Sequence, residues 1–135
     1  MNNLIKLLII TLLVTSCFPN LNESNSFDNR KFSEQVKKDI DITLPEFSFL
    51  YEKEEQSIGD KSLIVSVKFD SLQFCTLQQE IERAIASDSI NFNGITRWKR
   101  TLFGYRFEEK KFDNILIQYC LYRKKMEFCY QYFEE

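Results

Sequence analysis

The chain contains no histidine, which removes the commonest catalytic base and every imidazole metal ligand. Ser-His-Asp and Cys-His nucleophile arrangements are therefore excluded. The three glycines, Gly59, Gly94 and Gly104, are too scattered to form a phosphate-binding loop. The four cysteines include no C-x-x-C spacing, so a zinc site is not indicated. We expect no cofactor, no metal and no enzymatic activity.

An excess of charge of one sign is also lacking. The 18 Lys and Arg residues nearly balance the 20 Asp and Glu residues, so nothing in the global charge favours nucleic acid as a partner. Aromatic residues, in contrast, are plentiful, with 13 Phe, 6 Tyr and 1 Trp. This composition provides enough bulk for the core of one ordinary domain and argues against disorder of the body.

The first sixteen residues have the three-part layout of an export signal. Lys6 precedes a mostly apolar run at 7–14, and the small residues Thr15 and Ser16 follow that run. A permanent membrane span would need about 20 apolar residues, which this run does not reach. Residues 1–16 are therefore a predicted signal peptide.

Val14, Thr15, Ser16 and Cys17 resemble the lipobox of bacterial lipoproteins. The resemblance implies cleavage before Cys17 and acylation of its thiol and new amino group, with palmitate among the attached chains. Several chains would anchor the protein permanently. Phe18 in place of Asp implies sorting to the outer membrane, facing the periplasm. The alternative is an ordinary export signal whose cysteine is incidental.

The composition after Cys17 predicts a tether followed by one domain. Residues 17–30 are rich in Asn and Ser and are a predicted flexible, lipidated tether, so the domain is expected at 31–135. Phe32, Val36 and Ile40 recur at helical spacing, and a second helix is expected from Phe74 to Ile85. Asp70 with Gln73, or Thr76 with Gln79, would cap the second helix, and the cluster at 87–89 would end it.

Five strands complete the predicted domain, at 46–52, 61–70, 96–107, 114–123 and 126–133. The element order is α-β-β-α-β-β-β. This order predicts an α+β fold in which two helices pack on one face of an antiparallel sheet of about five strands.

Alternation of apolar residues fixes the register of the last two strands. One face would pair Ile117 with Tyr132, Tyr119 with Tyr130 and Leu121 with Phe128, and a slip by one residue would scramble both faces. In this register Cys120 lies opposite Cys129, on the less buried face of the hairpin. Their Cα atoms would be about 4.5 Å apart, near the short limit for a disulfide. We predict a Cys120 to Cys129 disulfide and a buried Cys75 thiol, although pairing of Cys75 with either partner remains open.

The same reasoning extends the core face to the preceding strand. The predicted pairs are Phe107 with Ile115, Tyr105 with Ile117 and Phe103 with Tyr119. Gly104 would lie on the outer face opposite Gln118. The missing side chain there suggests a bulge or the close approach of another group.

A candidate contact surface follows from this arrangement. Arg100, Tyr122 and Glu127 would be neighbours across the outer face, with Trp98 beside them. Arg, Tyr and Trp are enriched at binding hot spots. The alternative interpretation is a set of cross-strand pairs that stabilises an exposed sheet face.

Two functions from different classes are compatible with these features. The first is a non-catalytic, membrane-anchored module that binds a protein partner in the envelope as an inhibitor, an immunity factor or an assembly component. The second is a cell-wall glycan hydrolase that uses paired carboxylates. Its candidate acids lie in two predicted connections, Glu52, Glu54 and Glu55 in the first and Glu108 and Glu109 in the second.

Overall fold

A computed structural model describes residues 27–135 of the chain. The predicted signal peptide, Cys17 and most of the predicted tether lie outside these residues. Phe27 already packs in the fold, because its ring stacks on Phe49 with 4.3 Å between the centroids. Asp28 caps the first helix, so the domain begins before the predicted boundary at residue 31.

The described residues form two helices and six strands. In chain order they are α1 (Asn29–Ile40), β1 (Ser48–Gln56), β2 (Lys61–Lys68), α2 (Ser71–Asn91), β3 (Trp98–Thr101), β4 (Gly104–Lys111), β5 (Ile115–Tyr122) and β6 (Glu127–Glu134). The strands make one sheet in the order β1-β2-β6-β5-β4-β3, and every neighbouring pair is antiparallel. The α+β prediction is confirmed at this level, with six strands rather than about five.

Side-chain caps define where each helix begins. The Asp28 carboxylate accepts hydrogen bonds from the backbone N–H groups of Arg30 and Lys31, which have no partner inside the helix. Asp70 does the same for Gln73, so of the two predicted caps the one at Asp70 is correct. α2 continues to Asn91, past the polar cluster at 87–89 that was expected to end it.

The β5–β6 hairpin has the predicted register. Tyr119 lies opposite Tyr130, Leu121 opposite Phe128 and Cys120 opposite Cys129. β6 also pairs with β2, so this hairpin occupies the centre of the sheet. The alternating pattern was decisive here because both faces of the hairpin carry distinct residue types.

The predicted strand at 96–107 is wrong, because this segment is part of a hairpin. β3 ends at Thr101, Leu102 and Phe103 form the turn, and β4 begins at Gly104. β4 pairs Phe107 with Tyr119 and Tyr105 with Leu121, four residues away from the predicted register. The shift arises because β4 continues to Lys111, through charged residues that were expected to form a turn.

Both helices cover the same face of the sheet. The Tyr119 hydroxyl donates to Asp39 of α1 at 2.8 Å, and the Tyr105 hydroxyl donates to Glu82 of α2 at 2.6 Å. Tyr119 is fully buried at the centre of this layer, with its ring against Phe107, Phe128 and Tyr130. No helix of the described residues covers the opposite side of the sheet, which we call the outer face.

Candidate functional site

The predicted contact surface is divided between the two faces of the sheet. Trp98 is in the core, 1% exposed, with its ring 5.6 Å from that of Phe107. Arg100 pairs across the hairpin with Tyr105, on the helix-covered face, and its Nε donates to Glu82 at 3.1 Å. Neither residue belongs to the outer face, so the prediction that they flank Tyr122 is wrong. The cause is the hairpin turn at 102–103, which reverses the chain before Gly104.

Tyr122 and Glu127 do lie opposite each other on the outer face, as predicted. Lys68 of β2 continues their row on one side, and Gly104 of β4 continues it on the other. A Cβ built on Gly104 would lie 1.8 Å from the Leu121 carbonyl oxygen. The expected close approach at Gly104 is therefore confirmed, although its cross-strand partner is Tyr122 and not Gln118.

The middle of the outer face is built from small side chains. Ser66, Cys129 and Cys120 lie side by side on β2, β6 and β5 and are 1%, 4% and 7% exposed. Tyr51 of β1 continues this row beyond Ser66 and is half exposed. Small residues beneath larger neighbours make a recessed strip, so the outer face is buried at its centre although no helix covers it.

The two facing cysteines are free thiols in the structure, so the predicted disulfide is not formed there. Burial raises the pKa of the Cys120 thiol, and desolvation raises the pKa of Cys129 to about 11. Burial beside these thiols raises the pKa of Tyr122 to about 12. These groups are neutral at physiological pH, which makes the strip an uncharged surface.

Cys75 is exposed on α2, contrary to the prediction of a buried thiol. Phe74 and Leu77 face the core from the same turns of the helix. A position between two buried neighbours does not by itself decide the face of a helix, because adjacent residues differ by about 100°. Cys75 lies remote from the other two cysteines, on the opposite side of the sheet, and does not pair with them.

A groove of about 800 Å³ continues the outer face toward one end of the strands. Its apolar floor includes Leu116 and Phe133, which are paired across β5 and β6 and half buried. Asp60 and Asp113 from two hairpin turns and Lys110 from the end of β4 stand around this floor. An apolar floor with a few polar groups at its rim is typical of a binding surface.

Sequence reasoning missed two ion pairs that hold α2 against β3. Asp88 is buried and accepts three hydrogen bonds from Arg97, each 3.1 Å long. Those bonds lower the pKa of Asp88, and bonds from Arg100 and Tyr105 lower the pKa of Glu82. Because each pair joins residues nine or more positions apart, no local pattern indicates it.

The carboxylates considered for glycan hydrolysis lie within strands and not in connections. Glu52, Glu54 and Glu55 are on β1, while Glu108 and Glu109 are on β4. Three strands separate β1 from β4, which at about 4.8 Å per strand places the clusters roughly 19 Å apart. Acids that cleave a glycosidic bond together lie about 5 to 9.5 Å apart. The two clusters therefore do not form one carboxylate pair.

Neither metal-binding groups nor membrane-spanning helices are found among residues 27–135. No cluster of three or more Cys, Asp and Glu side chains in this range has the geometry to hold a metal ion. Neither α1 nor α2 has the length and apolar character needed to cross a bilayer. No protein family, curated protein or solved structure matches the chain.

Proposed function

We propose that this protein is a bacterial envelope lipoprotein, anchored through acyl chains on Cys17, whose domain is a non-catalytic module that binds a protein partner on its outer face. The proposal places it at the outer membrane, facing the periplasm, as the residues around Cys17 imply. An inhibitor, an immunity factor or an assembly component would act in this way.

The observation that carries the proposal is the uncovered outer face, whose centre is uncharged. Tyr51, Tyr122 and Phe133 project from it around the neutral strip of Ser66, Cys129 and Cys120. The strip and the apolar floor at Leu116 and Phe133 lie on either side of the polar pair Gln118 and Gln131. Exposed apolar surface rimmed by polar residues marks interaction sites. Charged residues stand at its margin, including Lys68, Glu127, Arg106 and Lys110. This arrangement of an apolar centre and a polar rim is that of a protein interface.

Variants of the outer face test the proposal in detergent-solubilised membranes. Tyr122→Ala and Phe133→Asp should each lower the amount of co-purified partner by at least tenfold, because both remove the apolar contact. Matched substitutions on the exposed side of α2, Gln79→Ala and Arg83→Ala, should leave the amount of co-purified partner unchanged. Loss of the partner in the α2 variants, with retention in the outer-face variants, would overturn the proposed surface.

A separate set of variants addresses the alternative of a cell-wall hydrolase. Glu52, Glu54, Glu55, Glu108 and Glu109 would be replaced by Gln one at a time and assayed on cell-wall material. Activity abolished by one of these changes would contradict the binding function. The separation of the two clusters supports the expectation that no single change does so.

A further inference from the structure

The two ends of the sheet differ in charge. The turns at 101–104 and 123–126 lie at one end, which we call the basic end. The turns at 57–60 and 112–114 lie at the other, which we call the acidic end. Arg123, Lys124 and Lys125 are consecutive and exposed at the basic end, and neither turn there contains an acid. The acidic end carries Asp60, Asp113, Glu134 and Glu135, which outnumber Lys61 and Lys110 there.

Exposed apolar side chains accompany the cations at the basic end. Leu102 is 87% exposed and Phe103 is 69% exposed, at the tip of the β3–β4 turn. The Arg123 backbone N–H donates to the Phe103 carbonyl oxygen at 3.0 Å, so the two turns are joined. The Gly104 N–H donates to Thr101 Oγ1 at 3.1 Å and fixes the apolar turn from within. The result is one continuous surface with an apolar tip beside Lys124 and Lys125, while the Arg123 guanidinium lies over the Tyr105 ring, 5.1 Å from its centroid.

The chain enters the domain at this same end. Phe27, the first described residue, stacks on Phe49, and Phe49 pairs with Val67 near the end of β2. The N–H of Phe69, two residues further on, donates to the Met126 carbonyl oxygen in the basic turn. Nine residues lie between Cys17 and Phe27, so ten Cα–Cα steps join them and span at most about 35 Å and typically about 17 Å. The typical span is shorter than an eight-residue strand of about 26 Å, so an anchor on Cys17 would favour the basic end over the acidic end at the lipid.

We propose that the basic end rests on the membrane surface, with Leu102 and Phe103 inserted among the headgroups and Lys124 and Lys125 beside anionic lipid phosphates. The inference rests on the proposed anchor at Cys17. Amphipathic surfaces of this composition bind at the interface, and each cation near an anionic leaflet adds attraction. Weak contacts suffice, because the anchor makes the docking step intramolecular.

Docking in this way fixes the orientation of the molecule. The strands would stand roughly along the membrane normal, and an eight-residue strand is about 26 Å long. The groove above Leu116 and Phe133 lies toward the acidic end and would point away from the lipid. A partner would then approach the groove end of the outer face from the periplasm without competition from the bilayer.

Two tryptophan variants of the full-length acylated protein test the contact. Phe103→Trp and Phe112→Trp would be reconstituted in vesicles of 30% brominated phosphatidylglycerol and 70% phosphatidylethanolamine. Phe112 is the matched control, since it is 84% exposed in a turn of the acidic end. Bromine should quench the emission of the first variant at least threefold more strongly than that of the second. Trp98 is buried and provides the same background in both, which the unmodified protein measures.

Charge reversal tests the role of the cations. Lys124→Glu combined with Lys125→Glu should lower the quenching in the Phe103→Trp protein at least twofold, because the lipid phosphates then face acids. Lys61→Glu combined with Lys110→Glu, near the acidic end, should leave it unchanged. Equal quenching in the two tryptophan variants, or shielding of the Phe103→Trp side chain only after a protein partner is added, would overturn the inference.

Flotation of the same vesicles separates this inference from the proposed anchor. Protein that floats with vesicles, and carries acyl chains on Cys17 by mass spectrometry, confirms the anchor regardless of the quenching measured at position 103. Floating protein without quenching at position 103 would defeat the docking surface alone. Protein that carries no acyl chain and does not float would defeat both.

Discussion

Asp88 is a buried carboxylate whose hydrogen-bond donors all come from Arg97. These bonds lower its pKa in the folded state below the ordinary value of about 3.9 in an unfolded chain. A group with a lowered folded pKa contributes its full stability above the unfolded value and loses it as pH falls through the folded value. The contribution of Asp88 should therefore be present at neutral pH and disappear only in strong acid.

Asp88→Asn should lower the free energy of unfolding by about 2 kcal/mol at pH 7, because it weakens charge-assisted bonds to a half-exposed guanidinium. The difference between the variant and the unmodified protein should shrink as pH falls below about 4, since protonated Asp88 has lost the same charge. Urea denaturation at pH 7 and pH 2.5 measures both effects. Asp113→Asn, in an exposed turn, is the control, and an Asp88 effect independent of pH would contradict the interpretation.

Trp98 has a structural role that its residue type does not reveal. Because it is almost fully buried beside Phe107, Trp98→Ala should lower the free energy of unfolding by about 3 to 4 kcal/mol. Its exposed neighbour Lys99, replaced by Ala, should change that quantity by less than about 0.5 kcal/mol. Chemical denaturation gives both values. A destabilisation below about 1 kcal/mol for Trp98→Ala would be inconsistent with its place in the core.

Gly104 determines how the β3–β4 hairpin packs against β5. Its φ of 153° is disfavoured for residues with a side chain, and a Cβ there would overlap the Leu121 carbonyl oxygen. Gly104→Ala should therefore lower the free energy of unfolding by about 3 kcal/mol or more. Gly94→Ala is a matched control, because Gly94 also has a positive φ of 87° but open space around it. Gly94→Ala should lower the free energy of unfolding by about 1 kcal/mol. Equal effects of the two substitutions in urea titrations would show that the contact with Leu121 is unimportant.

The correct prediction of the strand faces and the wrong prediction of the β4–β5 register have one physical cause. Alternation of apolar residues reports which face a side chain takes, and it placed Tyr105, Phe107 and Tyr119 together on the core face. Alternation has a period of two, so it does not distinguish a register from another that differs by four residues. The choice between such registers depends on where the strand begins and ends. Glu108 to Lys111 carried no turn-forming residue, and their charge alone was a poor indication of a turn.

The prediction of one continuous strand at 96–107 also caused the error at the predicted contact surface, where two of the four residues lie on the other face. Leu102 and Phe103 are apolar and exposed at a tight turn, against the usual preference of turns for Gly, Pro, Asn, Asp and Ser. Only Gly104 indicated a break, and it was compatible with a bulge. Once the chain reverses there, Trp98 and Arg100 lie on the helix-covered face, while Tyr122 and Glu127 remain together because the β5–β6 turn was placed correctly.

At the scale of the whole molecule, the cysteines connect the fold to the compartment. The register places Cys120 opposite Cys129 at the centre of the sheet, where oxidation would close a loop of ten residues. A loop of this length adds about 2.5 kcal/mol to the free energy of unfolding in the chain-entropy description. Disulfides persist in the envelope of an exported protein and are rare in the cytosol. The structure holds this pair as free thiols, so we propose that it becomes oxidised only where the envelope supplies an oxidant.

Counting thiols in the protein isolated from membranes tests that proposal. With Cys17 acylated and the pair oxidised, denatured protein should contain one titratable thiol, Cys75, and reduction should raise the number to three. The Cys75→Ser variant should contain none before reduction, which identifies the reactive residue. In the folded, reduced protein Cys75 should react first, because Cys120 and Cys129 are buried and their pKa values are raised. Three thiols before reduction would show that Cys120 and Cys129 do not form a disulfide although they face each other in a strand pair. The stability of the domain would then rest on its one-sided core alone.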